Sequence, residues 1–260
     1  MSPLMTQLKT YVKILDDCFF PERCADCGFA YSDSSVLTGL CPRCASKLPI
    51  REVDQIRLFL DLYRDRDEAD ALRYLPVLIA TWYKSPINRM IRELKFHAGK
   101  EHARLLGELL SLTLDRYLDG VKSGEIPVFA QDHVYFDSVV ALPLHPRRLR
   151  ERSYNQAHEI VRCMLKSQGE LEDLSTAFSR PKYTQRQSEM SSREERMQNV
   201  ALAFEAETQL KDRYVLLVDD VMTSGASLTS AAKAIYAVGA KEVTALVCSS
   251  GHAGLGTVNT

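Results

Sequence analysis

The sequence predicts an α/β fold: a parallel sheet flanked by helices, preceded by a small cysteine-rich module. Three observations carry this. VVAL (139–142), VLLV (215–218) and VTALV (243–247) are short, wholly apolar runs of the kind buried on both faces of a parallel sheet. Segments with helical apolar spacing lie between them, so strand and helix alternate. Four of the seven cysteines fall within residues 24–44, a stretch too poor in apolar periodicity to build a core without a staple.

Taken in chain order, Leu8, Tyr11, Val12 and Leu15 suggest a short leading helix. Residues 52–76 are acidic and irregular and read as a solvated linker or helix face. VLIATWY (77–83) reads as a strand. Ser85 then caps a helix with Pro86 at its first position, and Ile87, Met90, Ile91 and Leu94 form its apolar stripe. A second helix covers about 102–118, with Leu105, Leu106, Leu109, Leu110 and Leu114 inward. After the 139–142 strand, Ser153 and Gln156 fit a capping box ahead of Ala157, Ile160, Val161, Met164 and Leu165. Residues 179–199 read as a long polar loop. The strand at 215–218, a helix from Ser227 ended by Gly239, and the strand at 243–247 form a parallel crossover. The expected domains are a cysteine module at 1–50, an α/β domain at 51–250 and a flexible tail at 251–260.

Composition excludes several classes. Hydrophobic residues at 45% and charged residues at 26% are globular proportions. Thirty-three Lys+Arg against 34 Asp+Glu leave no bulk charge for a polyanion. The balance is local: residues 52–70 hold seven acids and three Arg, 84–104 hold six Lys/Arg and two Glu, and 143–152 hold four Arg and one Glu. No apolar run is long enough to cross a bilayer. The first twenty residues lack the basic, apolar and cleavage regions of a signal peptide, so the expected location is the cytoplasm, with no membrane insertion.

Cys24-x2-Cys27 and Cys41-x2-Cys44 are separated by thirteen residues. Two such knuckles bring four thiolates to one tetrahedral ion, the arrangement of a closed, structural Zn2+ site. Two disulfides or four free thiols are the alternative, disfavoured by the spacing and by a reducing compartment. Cys18, Cys163 and Cys248 read as core residues.

The segment VLLVDDVMTSGAS (215–227) carries the clearest chemistry. A buried strand ends in Asp219 and Asp220, and a turn of small residues (Thr223, Ser224, Gly225, Ala226, Ser227) opens a helix. Such a turn supplies hydroxyls, backbone N–H groups and positive potential to a phosphate. The two carboxylates suit an adjacent diol, which implies a sugar 5-phosphate at the carboxyl ends of parallel strands. The plain alternative is a strand ending in solvated aspartates beside a hydroxyl cap.

This segment resembles the PRPP-binding motif of type I phosphoribosyltransferases. The resemblance implies ribose at Asp219 and Asp220, the 5-phosphate at Thr223 to Ser227, and Mg2+ carried with PRPP. Thr223 stands where purine-salvage members have an acidic residue, which argues against 6-oxopurine salvage. The order of blocks, four cysteines, IRELKFHAG (91–99), LPLHPRRLRERSYNQA (142–157), TQRQSEMSSREERMQNVALAF (184–204) and the acidic pair, is similar to the ComF family over about residues 18–249. That family usually has Arg-Gly-Phe-Asn-Gln where this chain has Arg152-Ser153-Tyr154-Asn155-Gln156. The resemblance implies a type I phosphoribosyltransferase fold and a link to DNA uptake.

By the same resemblance, the turn after the first core strand binds pyrophosphate. Here that turn offers Leu144, His145, Arg147 and Arg148, with Arg150 and Arg152 close behind. Guanidinium forks suit phosphate oxygens, although single exposed arginines are also ordinary surface. His145 between two prolines reads as structural, with a pyrophosphate contact as the alternative. Arg186 and Gln187, with Gln185, Arg193 and Arg196, would sit in the family's lid. Lys95 and Phe96 open a basic, partly aromatic stretch that is either ordinary surface or the edge of a single-stranded DNA track. Two readings of function follow: a phosphoribosyltransferase of unknown acceptor, and a non-catalytic PRPP- or single-stranded DNA-binding module working with DNA-import machinery.

Overall fold

A six-stranded sheet forms the frame of the larger of the two units into which the chain divides, Met1–Leu48 and Pro49–Thr260. The computed structural model describes residues 22–31, 37, 39–52, 55–60, 73–96, 99, 101–126, 135–181 and 203–251. The expected leading helix, Cys18, most of the acidic stretch, residues 182–199 of the expected polar loop and residues 252–260 of the expected tail lie outside them.

In the first unit, β1 (Glu22–Arg23) pairs antiparallel with β2 (Ala30–Tyr31), and a one-turn helix α1 (Pro42–Ala45) starts after Cys41 and contains Cys44 of the second knuckle.

In the second unit the strands are β3 (Gln55–Leu60), β4 (Arg73–Trp82), β5 (Ser138–Ala141), β6 (Glu172–Asp173), β9 (Tyr214–Met222) and β10 (Glu242–Ser250). Their order is β3-β4-β10-β9-β5-β6, parallel throughout except for β3 on β4. A separate short ladder joins β7 (Phe178–Ser179) to β8 (Glu205–Ala206). The helices are α2 (Ile87–Phe96), α3 (Glu101–Lys122), α4 (Pro146–Arg152), α5 (Gln156–Met164) and α6 (Ala226–Ala237).

Burial on both faces explains the apolar runs. Val77, Ile79, Val140, Val215, Leu217, Val243, Ala245 and Val247 share one core with Leu228, Ala231, Ala232 and Ile235 of α6. The intervening Leu78, Val139, Leu216, Val218 and Leu246 are equally buried. Helices α3 and α5 pack on these strands and on each other. The α2 stripe Ile87, Met90, Ile91 and Leu94 is fully buried, as its spacing predicts. Gly107 lets α3 and α5 approach closely, because a Cβ there would lie 2.7 Å from Cys163 Cβ and 2.8 Å from the Met164 nitrogen.

Four local expectations are corrected. Residues 52–76 are not simply a linker: Gln55–Leu60 is an edge strand, and β4 begins at Arg73. Pro76 hides this start in the sequence. It is tolerated because β10 pairs with β4 only from Val77 onward, so that part of β4 has one neighbour. Pro86 precedes α2 across a cis Ser85–Pro86 bond instead of opening the helix. Ser153 is not an N-cap. It ends α4 in the left-handed region (φ 67°), and Asn155 caps α5. Cys163 is half-buried on α5, whereas Cys248 is buried.

Candidate functional site

A cleft of about 510 Å3 opens at the carboxyl ends of β4, β5, β9 and β10. This is where open parallel sheets place ligands. Asp219, Asp220, Val221, Met222, Thr223 and Ser227 line one wall, Leu142, Pro143, Leu144, Arg148, Arg152 and Gln156 another, and Tyr83, Arg92, Lys95 and Phe96 a third. Arg180 and Gly251 complete it.

The acidic pair lies inside β9 and not at its end. The ladder to β10 runs past it to Met222, since backbone pairing does not require apolar side chains. Asp219 and Asp220 are 9% and 3% exposed. The Asp220 amide donates to Asp219 Oδ1 at 2.8 Å. Lys95 Nζ lies 2.6 Å from Asp220 Oδ2. Burial raises the Asp219 carboxyl well above its ordinary range, and the adjacent Asp220 charge adds to this. Burial also opposes ionisation of Asp220, but the Lys95 ammonium outweighs it and holds that carboxyl low. Burial likewise works against charge on Lys95, and Asp220 overcomes it. Of the two carboxyls, Asp220 is therefore the one whose charge the cleft favours, and Asp219 the one whose charge it opposes.

The small-residue turn follows. Gly225 takes φ 78°, a left-handed conformation that glycine adopts without a Cβ penalty, and serves as the N-cap of α6. The Ser224 hydroxyl accepts from the Ala226 amide at 3.4 Å, and Thr229 donates its hydroxyl back to the Gly225 carbonyl at 3.0 Å. Thr223 and Ser227 face the cleft, whereas Ser224, Gly225 and Ala226 do not line it. The N-terminus of α6 thus opens beside the acidic pair.

The turn after β5 is shaped by caps. His145 Nδ1 accepts from the Arg147 amide at 3.1 Å, so His145 opens α4 with Pro146 in its first turn. Arg147 Nε donates to Glu151 at 3.3 Å on the exposed face. Of the four expected guanidiniums, Arg148 and Arg152 line the cleft, and Arg147 and Arg150 do not. Arg152 donates to Gln156 Oε1 at 2.9 Å and lies 5.3 Å above the Phe96 ring. Arg186 and Gln187 fall outside the described residues.

Arg180, Arg92 and Tyr83 carry no sequence signal, and they reach the cleft only through the fold. Arg180 is 7% exposed and lies 4.9 Å from the Phe204 ring. Burial, then Arg148, lowers its pKa to about 10, while Asp219 opposes this. The sequence places Lys95 and Phe96 on ordinary surface or at the edge of a single-stranded DNA track. They are cleft residues because α2 ends at its mouth.

In the first unit, the Sγ atoms of Cys24, Cys27, Cys41 and Cys44 all lie within 4.8 Å of one another. Cys27 and Cys41 are 3.8 Å apart, too far for a disulfide. Tetrahedral Zn–S bonds of about 2.3 Å imply an S···S edge of about 3.8 Å, so the four thiols fit a closed metal site. Burial opposes the Cys24 thiolate, but the amides of Cys27, Cys41 and Asp26 outweigh it and hold its pKa at about 6. Among the described residues, no helix is long and apolar enough to cross a membrane.

Comparison with known proteins agrees with this geometry. Residues 152–259 match the phosphoribosyl transferase domain family. The chain is 30% identical over 166 residues to "DNA utilization protein YhgH" of Escherichia coli K12, a match covering 62% of this chain and 66% of that protein. It is 29% identical over 161 residues to the Salmonella typhi protein of the same name, with the same coverage. It is 26% identical over 170 residues to "Competence protein F" of Haemophilus influenzae, covering 64% and 69%. The matches to the first two span just under two thirds of those proteins' length.

Proposed function

Because this chain is a homologue of competence protein F and DNA utilization protein YhgH and carries a phosphoribosyl transferase domain, we propose that its cleft binds PRPP together with Mg2+. One observation carries the reading. The buried acidic pair, Thr223, and Ser227 of the first turn of α6 share one cleft with Arg148, Arg152 and Arg180. Asp219 and Asp220 receive the ribose hydroxyls. Thr223, Ser227 and the first amides of α6 hold the 5-phosphate. The arginines face the diphosphate, where fork-shaped donors meet oxygen pairs. Mg2+ bound to PRPP neutralises diphosphate charge. Transfer to an acceptor breaks the C1–O bond to diphosphate. Guanidiniums placed at the departing oxygens stabilise that charge as it develops. The zinc assigned to the four cysteines is structural, since four thiolates leave no open position.

The names of the relatives favour a second reading, a PRPP-dependent module in DNA uptake that transfers nothing. Calorimetry with PRPP and Mg2+, on wild type and on the Asp219→Asn/Asp220→Asn double variant, tests the binding common to both. Wild type should bind and the double variant should not. No binding by folded wild type sinks the proposal. A screen for diphosphate release across nucleobases then separates transferase from module.

A further inference from the structure

A seat for a sugar phosphate does not by itself account for Lys95. Its ammonium lies 2.6 Å from Asp220 Oδ2, where an approaching ligand would make contact. The two partners differ in freedom. Asp220 is fixed on β9, and its side chain is 4% exposed. Lys95 sits on a flexible four-carbon stem near the end of α2, lines the cleft, and has 22% of its side chain exposed. Lys95 is therefore the partner able to leave. The Arg152 guanidinium bears on it as a like charge.

We infer that Lys95 is a specificity-determining residue, an internal cation that closes the acidic pair to metal-free sugar phosphates and yields it to a diphosphate arriving with its own divalent cation. The inference rests on the phosphoribosyl reading of the cleft. Removing an ammonium from a buried carboxylate leaves that charge uncompensated, a large penalty. Hydroxyl dipoles alone return only part of it. A ligand that carries a divalent cation restores the missing charge, and the released ammonium has diphosphate oxygens within the same cleft. Ribose 5-phosphate without metal offers the hydroxyls and the phosphate but no replacement cation. Discrimination at this step selects the metal-loaded diphosphate over the simpler sugar phosphate.

The test is calorimetry with ribose 5-phosphate in EDTA, and with PRPP across a Mg2+ series. The proteins are wild type, Lys95→Gln, Lys95→Met and Lys95→Arg, with folding checked by thermal unfolding. Lys95→Gln keeps a hydrogen-bond donor, so it serves if Lys95→Met does not fold. Lys95→Gln should bind ribose 5-phosphate about tenfold more tightly than wild type, a gain of about 1.4 kcal/mol. The Mg2+ concentration for half-maximal PRPP binding should fall about fivefold in both neutral variants and stay unchanged in Lys95→Arg. PRPP binding with the same Mg2+ midpoint in every protein overturns the inference and leaves the cleft assignment standing. Absence of PRPP binding in all four overturns both.

Discussion

Asn155 fastens the floor of the cleft to the end of a core strand: its Nδ2 donates to the Leu142 carbonyl at 3.0 Å. The same side chain accepts from the Ala157 amide at 3.1 Å and so caps α5. Leu142 lies just past β5, where the chain turns toward His145 and Arg148. One amide side chain thus sets both the entry of α5 and the course of the arginine-bearing turn.

Replacing Asn155 separates these duties. Asn155→Ala should cost about 1–2 kcal/mol, the usual price of losing an N-cap. Asn155→Asp keeps the cap acceptor but loses the donor to Leu142. It should therefore retain more stability than the alanine variant while still binding PRPP more weakly than wild type. Urea unfolding and calorimetry read the two effects. Equal stability of Asn155→Asp and Asn155→Ala would show that the Leu142 bond, not the cap, carries the cost.

The neighbouring Ser153 shows what the sequence could not supply. Ser-x-x-Gln is a capping pattern, and nothing local distinguishes it from Asn155 capping two residues later. The decision lies in the backbone: Ser153 has φ 67° because α4 must end before α5 can begin. Strand interiors and the cysteine knuckles were legible because their signal is local, either apolar runs or fixed spacing. The strand, turn and helix around Asp219–Ser227 were legible for the same reason, although β9 runs past the acidic pair and Ser224, Gly225 and Ala226 do not line the cleft. Lys95, Arg180 and Tyr83 were not, since they enter the cleft from α2, from the segment after β7, and from the end of β4. Only tertiary structure brings those together.

It follows that Ser153→Gly should stabilise the protein. A non-glycine residue in the left-handed region carries a penalty of about 1 kcal/mol or more, partly offset by the greater freedom of glycine in the unfolded chain. The expected net gain is about 0.5 kcal/mol in urea, with PRPP affinity unchanged.

The phosphate turn makes the opposite demand. Gly225→Ala places a Cβ at φ 78°, at a cost of about 1–2 kcal/mol if the turn holds its shape. If the turn relaxes instead, the amides at the start of α6 lose their convergence. Either way, the PRPP dissociation constant measured by calorimetry should rise about tenfold. Wild-type affinity would remove the turn from the phosphate seat.

The four thiols predict a metal stoichiometry. Protein grown with zinc should carry one ion per chain by elemental analysis, and Cys24→Ser/Cys27→Ser should carry none. Because the described residues of the Met1–Leu48 unit bury only Leu37, Leu40 and Leu48 beside Cys24 and Cys44, removing the metal should expose it to protease at residues before Leu48. Cleavage within the six-stranded sheet under the same conditions would count against a role confined to the first unit.

The acidic pair sets a pH dependence whose sign follows from its two members. Burial and Asp220 raise the Asp219 carboxyl above its unfolded range, so folding favours its protonated form. The unfolded chain releases that proton near the ordinary carboxylate value of about 4. Above that pH the folded state pays for keeping the proton, or for ionising in a buried site, and the penalty grows until the folded value is passed. Asp219→Asn removes the penalty. The variant should match wild type at pH 3 and exceed it progressively above pH 4 in urea unfolding, while losing PRPP affinity. Asp220→Asn should act the other way. It leaves the largely buried Lys95 ammonium without its partner carboxylate, so at neutral pH it should cost about 2–3 kcal/mol, at or below the range for breaking a buried ion pair. That deficit should shrink as the pH falls through the depressed Asp220 value, where the wild-type ion pair is lost as well. Opposite signs from adjacent residues would establish that folding opposes the Asp219 charge and favours the Asp220 charge. Two stabilising or two destabilising substitutions would contradict it.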